Sequence, residues 1–139
     1  MFWQIFKEKN YKVPFEDVQK AFHDINKYII INTMPTNEQH CLIYGTIPYC
    51  DEESQINKLV EQYDFYSKTI IIYGKNYNDE TVGYKYNQLK KLGFTNVYCY
   101  YGGMFEWLCL QDIYGADEFP TTTNELDILK YRYCCQNRI

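Results

Sequence analysis

The chain is poor in arginine and histidine, lacks long apolar runs, and has no paired-cysteine motif; each shortage closes off a class of protein. Two arginines accompany twelve lysines, and these fourteen basic side chains are outnumbered by eighteen acidic ones, for a net charge of −4. No Lys/Arg cluster occurs, and binding through phosphates needs a basic face, so nucleic acid is not an expected partner. The uninterrupted apolar runs resemble Tyr28-Ile29-Ile30-Ile31 in length, far below the roughly 20 residues that span a bilayer. No membrane is expected. Residues Met1 to Glu8 carry neither a basic start nor a sustained apolar stretch, so a cytoplasmic location without a secretory signal is the expectation.

Six cysteines occur without any C-x-x-C pair, and two histidines, His23 and His40, are all that exist to complete a metal site. That spacing fits no zinc ribbon or finger. Without a secretory signal, disulfides are not expected either. His40 and Cys41 stand side by side, but neighbours on a strand point to opposite faces, so they read as loop or strand residues without a metal. Neither a metal nor a cofactor is expected.

What is there is globular. With 139 residues, 46 % of them apolar and 23 % charged, the chain makes one domain over residues 1–139. The sixteen tyrosines read first as half-buried packing residues.

The order of elements gives the class. Lys12-Val13 reads as a brief strand, and Pro14 suits a first helical turn. Phe15, Val18, Phe22 and Ile25 then recur at helical spacing. Tyr28 to Ile31 is a strand covered on both faces. A loop with Pro35 leads to Cys41-Leu42-Ile43-Tyr44 and a turn at Gly45. Asp51-Glu52-Glu53 opens a second helix with Ile56, Leu59 and Val60 on one face. Thr69 to Tyr73 is the clearest strand, and it stops at Gly74. A third helix runs from Thr81 to Leu92 and is capped by Gly93. Asn96 to Tyr100 is a strand, Gly102-Gly103 a tight turn and Met104 to Tyr114 an apolar helix. Glu125 to Tyr131 is a short helix candidate. Strands alternating with helices predict an α/β domain: a central, mostly parallel sheet flanked by helices on both faces.

In such sheets ligands meet the carboxyl ends of strands, where a loop feeds a helix. Gly74 to Glu80 occupies that position after the strongest strand. A loop of this kind can aim successive backbone N–H groups at an anion.

From here the residues resemble a single-domain rhodanese. Ile72-Tyr73-Gly74 is similar to the family's strand leading into its active-site loop. Leu92-Gly93-Phe94-Thr95-Asn96-Val97-Tyr98 and Tyr101-Gly102-Gly103-Met104-Phe105-Glu106-Trp107 resemble its helix end, last strand and Gly-Gly-x-x-x-Trp helix. Ile30-Ile31-Asn32-Thr33 resembles the strand that usually ends in Asp-Val-Arg, and Gly45-Thr46-Ile47-Pro48 the Gly-His-Ile-Pro turn. The similarity covers about residues 11–115, which would be the core, with an aromatic N-terminal segment and a C-terminal tail outside it.

The resemblance implies sulfur transfer through a cysteine persulfide, or, with a longer loop, the chemistry of the family's phosphatase branch. Both need a thiolate cradled by backbone N–H groups. Gly74 takes that cysteine's place. A phosphatase also needs Arg at the loop's end to clamp phosphate, where this chain has Asp79-Glu80. Asn32 and Met34 replace the family's usual Asp and Arg. The loop therefore reads as a degenerate active site kept as a backbone platform, with Gly74, Lys75, Asn76, Tyr77, Asn78, Asp79 and Glu80 as candidate binding residues. A calcium site from Asn76, Asn78, Asp79 and Glu80 would lack the glycine and distal glutamate of a calcium loop.

The expectation is a catalytically degenerate domain acting as a binding or regulatory module for a protein partner, as a monomer or weak homodimer. Its rivals are a sulfurtransferase with a displaced cysteine and a phosphatase-like activity. Cys99 and Cys109 look like core residues, whereas Cys134 and Cys135 look accessible. A structural role in a larger assembly has only two hints: the apolar helix around Trp107, and the N-terminal aromatics Phe2, Trp3, Ile5 and Phe6, which read as packing onto their own domain in preference to a dimer contact.

Overall fold

Three short β-prone runs form the middle of the molecule in a computed structural model that describes residues 11–134. Strands β1 (Tyr28–Asn32), β2 (Thr69–Tyr73) and β3 (Val97–Tyr100) pair in parallel in the order β1-β2-β3. In this register Ile31 lies opposite Ile72, and Ile72 opposite Cys99. Single bridges extend both edges, Thr46 beside Ile30 and Lys12 beside Cys99. The strand expected at Lys12-Val13 is thus one bridge, supported by the Val13 N–H donating to the Cys99 carbonyl at 2.9 Å.

Among the described residues four helices cover the sheet: α1 (Phe15–His23), α2 (Tyr49–Glu61), α3 (Glu80–Leu92) and α4 (Gly103–Tyr114). The two-residue period of a strand sorts the sheet side chains into two cores. Ile29, Ile31, Ile70, Ile72, Val97 and Cys99 meet α2 and α3 through Ile56, Leu59, Val82 and Leu89. Ile30, Ile71, Tyr73 and Tyr100 meet α1 and α4 through Val18, Phe22, Met104 and Trp107. Both crossover helices therefore lie on one face, as two right-handed βαβ units in sequential order require. The predicted α/β class with helices on both faces is what the chain adopts.

Local departures have local causes. Helix α1 ends at His23 with Asp24 as its C-cap, so Ile25 falls in the following turn and is exposed instead of continuing the apolar face. Helix α2 begins at Tyr49, two residues ahead of the acidic triplet, because Pro48 supplies an extended N-cap and Tyr49 and Cys50 can then turn. Residues 41–44 make no ladder with the sheet. They run instead beside residues 119–123, with an Ile43–Thr121 antiparallel bridge, the Tyr44 N–H donating to the Pro120 carbonyl at 3.0 Å and the Thr122 N–H to the Leu42 carbonyl at 2.8 Å. Only Ile128–Tyr131 of the last helix candidate turns, as a 3₁₀ segment. Phe119 and Tyr131 are buried, so packing continues past residue 115. Phe2, Trp3, Ile5 and Phe6 lie outside the described residues.

Trp107 ties the second core together. It is fully buried, edge-on to Phe119 at 5.0 Å, Tyr100 at 6.2 Å and Phe22 at 6.3 Å, and its indole N–H donates to the Pro120 carbonyl at 3.0 Å. Trp107→Ala leaves a large cavity and a carbonyl without its donor. Urea denaturation should show a loss of about 3–5 kcal/mol, and Trp107→Phe should lose less.

Candidate functional site

The loop after β2 is organised by one side chain. Asp79 is the N-cap of α3, and its Oδ1 accepts the Thr81 N–H at 3.0 Å. Its Oδ2 reaches back across the loop and accepts the Lys75 N–H at 3.0 Å. The Thr81 hydroxyl lies 2.5 Å from Oδ1 and 2.7 Å from the Thr33 hydroxyl at the end of β1. A carboxylate therefore sits inside the loop among donors that would otherwise face an anion.

The same carboxylate bears on Gly74. A Cβ built there would stand 2.3 Å from Asp79 Oδ2 and 2.9 Å from Thr33 Oγ1. The space a side chain at position 74 would use is already filled by oxygen. From the other side Gly103, at φ +65°, lets the start of α4 press on the loop: a Cβ there would be 2.6 Å from the Gly74 carbonyl oxygen. The N–H groups of Met104 and Phe105 donate to the carbonyls of Gly74 and Lys75 at 3.0 and 2.9 Å. Two of the free donors at the start of α4 are thus met by the loop.

Asn76 does not face outward. It is buried, its Oδ1 accepts the Asn78 N–H at 2.9 Å, and its Nδ2 donates to the Tyr131 carbonyl at 2.8 Å. Lys75 turns to Glu38, 2.5 Å away. The residues that do meet around an open cleft of about 390 Å³ are Tyr77, Asn78, Asp79 and Glu80, joined by Tyr84 and Asn87 of α3 and by Tyr101. Tyr84 also borders a groove of about 1060 Å³ between α2 and α3 that exposes Cys50 and contains the Lys85–Glu52 ion pair at 2.6 Å. Sequence reasoning passed over Tyr84, Tyr101 and Cys50. Spacing gives no signal for the first two, since they reach the cleft from separate elements.

The C-terminal segment straps the loop from behind. Glu125 Oε1 accepts from His40 Nε2 and Lys130 Nζ, both at 2.7 Å, and the Thr123 hydroxyl donates to the His40 carbonyl at 2.9 Å. The Lys130 and His40 hydrogen bonds hold the Glu125 carboxyl down at about 2. His40 thus anchors the strap, and its neighbour Cys41 is buried in the core with its thiol 3.5 Å from the Thr123 carbonyl.

The other residues of the expected site are placed as follows. Asn32 is buried, and its side-chain oxygen accepts the Met34 N–H at 3.1 Å. Met34 points into the core with Val18 and Tyr73. Cys99 is fully buried, and burial pushes its thiol up to about 11, which disfavours the thiolate a nucleophile needs. Cys109 is half-buried rather than a full core residue; burial, then the Asp112 and Glu106 charges, push its thiol up as well. Cys134 is exposed, next to Tyr133, whose ring lies 5.9 Å from that of Tyr77. Cys135 lies outside the described residues. Among the described residues no cluster of three or more His, Cys, Asp and Glu has the geometry to hold a metal ion, and no helix is long and apolar enough to cross a membrane.

Comparison with known proteins adds to this geometry. The sequence profile of the Rhodanese-like domain matches residues 8–109. Among solved structures, the chain is similar to the full-length protein from Lactobacillus plantarum, at 17 % identity and a TM-score of 0.61 over 88 % of this chain and 96 % of that one. It is similar to the BH2092 protein from Bacillus halodurans, at 18 % identity and a TM-score of 0.60 over 78 % of each chain. The Alr3790 protein from Anabaena sp. shares 17 % identity and a TM-score of 0.56 over 85 % of this chain and 97 % of that one. At these identities the likeness establishes the fold. No match is found among curated proteins.

Two measurements check the loop and its strap. Asp79→Ala removes the α3 cap and leaves the Lys75 N–H without its acceptor; urea denaturation should show a loss of about 1–2 kcal/mol, more than for Glu80→Ala. Glu125 has its carboxyl lowered on folding, so its contribution is complete above its ordinary 4.5 and disappears as pH falls towards about 2. Amide protection at residues 125–131, measured against the unfolded chain at the same pH, should fall across that window, and Glu125→Gln should show the lowered protection already at neutral pH.

Proposed function

The chain belongs to the rhodanese-like domain family, and on that premise we propose that it is a member without the sulfur-transfer nucleophile, serving as a binding or regulatory module for a protein partner. The observation that carries this reading is the Asp79 carboxylate. It lies where a side chain at position 74 would project, and it engages the Lys75 and Thr81 N–H groups from within. Glycine offers no nucleophile, and the loop's donors already hold an anion belonging to the chain. Thiosulfate and phosphate, both anionic, would have to displace a covalently tethered carboxylate against its charge. The cytoplasm remains the proposed location.

One observation favours a second reading, a sulfurtransferase with a displaced thiol. The contact of Tyr133 with Tyr77 brings the neighbouring Cys134 towards the loop, and that thiol is exposed.

The two readings separate in one experiment. The reduced protein is incubated with thiosulfate, freed of excess donor, and its intact mass recorded with site mapping. The module reading expects no sulfur adduct. A stoichiometric single-sulfur adduct mapped to Cys134 establishes the displaced-thiol enzyme and ends the module reading. In the same assay Gly74→Cys should give no sulfur transfer and should lose about 1–3 kcal/mol of stability, because its Cβ must move the Asp79 carboxylate. Robust activity from that single substitution would show the cradle to be intact.

A further inference from the structure

We propose that the cleft between Tyr77, Tyr84 and Tyr101 binds a lysine or arginine side chain on a basic segment of a partner protein. This names the ligand class of the module proposed above and rests on that reading.

The cleft, about 390 Å³, presents three phenol rings from three parts of the chain, with Asp79 and Glu80 in its wall. Aromatic faces carry negative potential and attract cations that approach within about 6 Å of the ring centre. Two of the rings have an aromatic neighbour: Tyr77 has Tyr133 at 5.9 Å, and Tyr101 has Tyr11 at 6.3 Å. A neighbour that restricts a ring before binding lowers the entropy lost when a ligand arrives. The chain already shows what such a ring accepts, since the Lys12 ammonium stands 5.4 Å from the centre of Tyr101.

Charge selects the same occupant. Glu80 makes no ion pair among the described residues, whereas the Asp79 carboxylate is taken up by the Lys75 and Thr81 N–H groups, so Glu80 is the carboxylate the cleft leaves uncompensated. Tyr84 joins the cleft to the groove between α2 and α3, where Glu52 and Glu53 outnumber Lys85, itself paired to Glu52. The carboxylates left without an ion pair on the two sides of Tyr84 are Glu80 and Glu53, against the Lys12 ammonium at the far ring, Tyr101, on a chain of net charge −4. A cationic segment is attracted along that surface and an acidic or phosphorylated one is repelled.

The test titrates the full chain, labelled for nuclear magnetic resonance, with end-blocked tetralysine and separately with end-blocked tetraglutamate. Tetralysine should shift the amides of Tyr77, Tyr84 and Tyr101, and added salt should weaken the effect. Tyr84→Leu should weaken binding about two- to fivefold. Tyr66→Leu, at an exposed tyrosine outside both clefts, should leave binding unchanged. Cleft amides that stay still with tetralysine, or that move equally with tetraglutamate, overturn the proposal. If the thiosulfate experiment yields no adduct while tetralysine fails, the cation site alone falls; a sulfur adduct removes the module reading itself.

Discussion

A carboxylate that accepts two backbone N–H groups behaves as an anion tethered to the chain, and the geometry around Asp79 follows from that. Its two oxygens bind the Thr81 and Lys75 N–H groups, so one residue both starts α3 and closes the loop onto the end of β2. The negative charge at the helix start is favourable in its own right. Because Oδ2 occupies the volume beside Gly74, a side chain at 74 and a carboxylate at 79 compete for one place. A side chain at 74 would have to turn the Asp79 carboxylate away from the Lys75 N–H.

The loop is held from two further sides. Gly103 permits a backbone approach that a Cβ would block, letting α4 take the Gly74 and Lys75 carbonyls with its first N–H groups. Behind it, Asn76 is fastened to the Tyr131 carbonyl, and that strap is in turn fastened by Glu125 to His40 and Lys130. Bonds from α3, α4 and the strap therefore converge on six residues. A loop so fixed presents its outer surface already ordered before any ligand arrives.

The sheet and helices were legible because their signals are local and mutually consistent. Thr69-Ile70-Ile71-Ile72-Tyr73 is a strand by composition, Gly93 ends α3 in the left-handed region at φ 117°, and the Gly-Gly-x-x-x-Trp block marks the start of α4. Ile25 misled because helical spacing carries past a helix whose end is set by Asp24. The loop was located by its place at a strand's carboxyl end, but its interior was not readable. Whether Asn76 faces solvent or the Tyr131 carbonyl depends on a contact 55 residues away in sequence, which no local pattern encodes. Tyr84 and Tyr101 reach the cleft for the same long-range reason.

The inward turn of Asp79 also decides what the outer surface can attract. An open cradle of N–H groups presents partial positive charge at the end of a parallel strand, and the start of α3 adds to it. The Asp79 carboxylate takes up two of those donors, the Lys75 and Thr81 N–H groups, and the character of the opening then depends on what stands at its rim. Around it stand Glu80, Asn78, Asn87 and three tyrosines. On the proposed reading, the same opening then suits cations, with no change in the fold around it. On that reading, the vacant position at Gly74 and the change of ligand both go with one charge placed inside the loop.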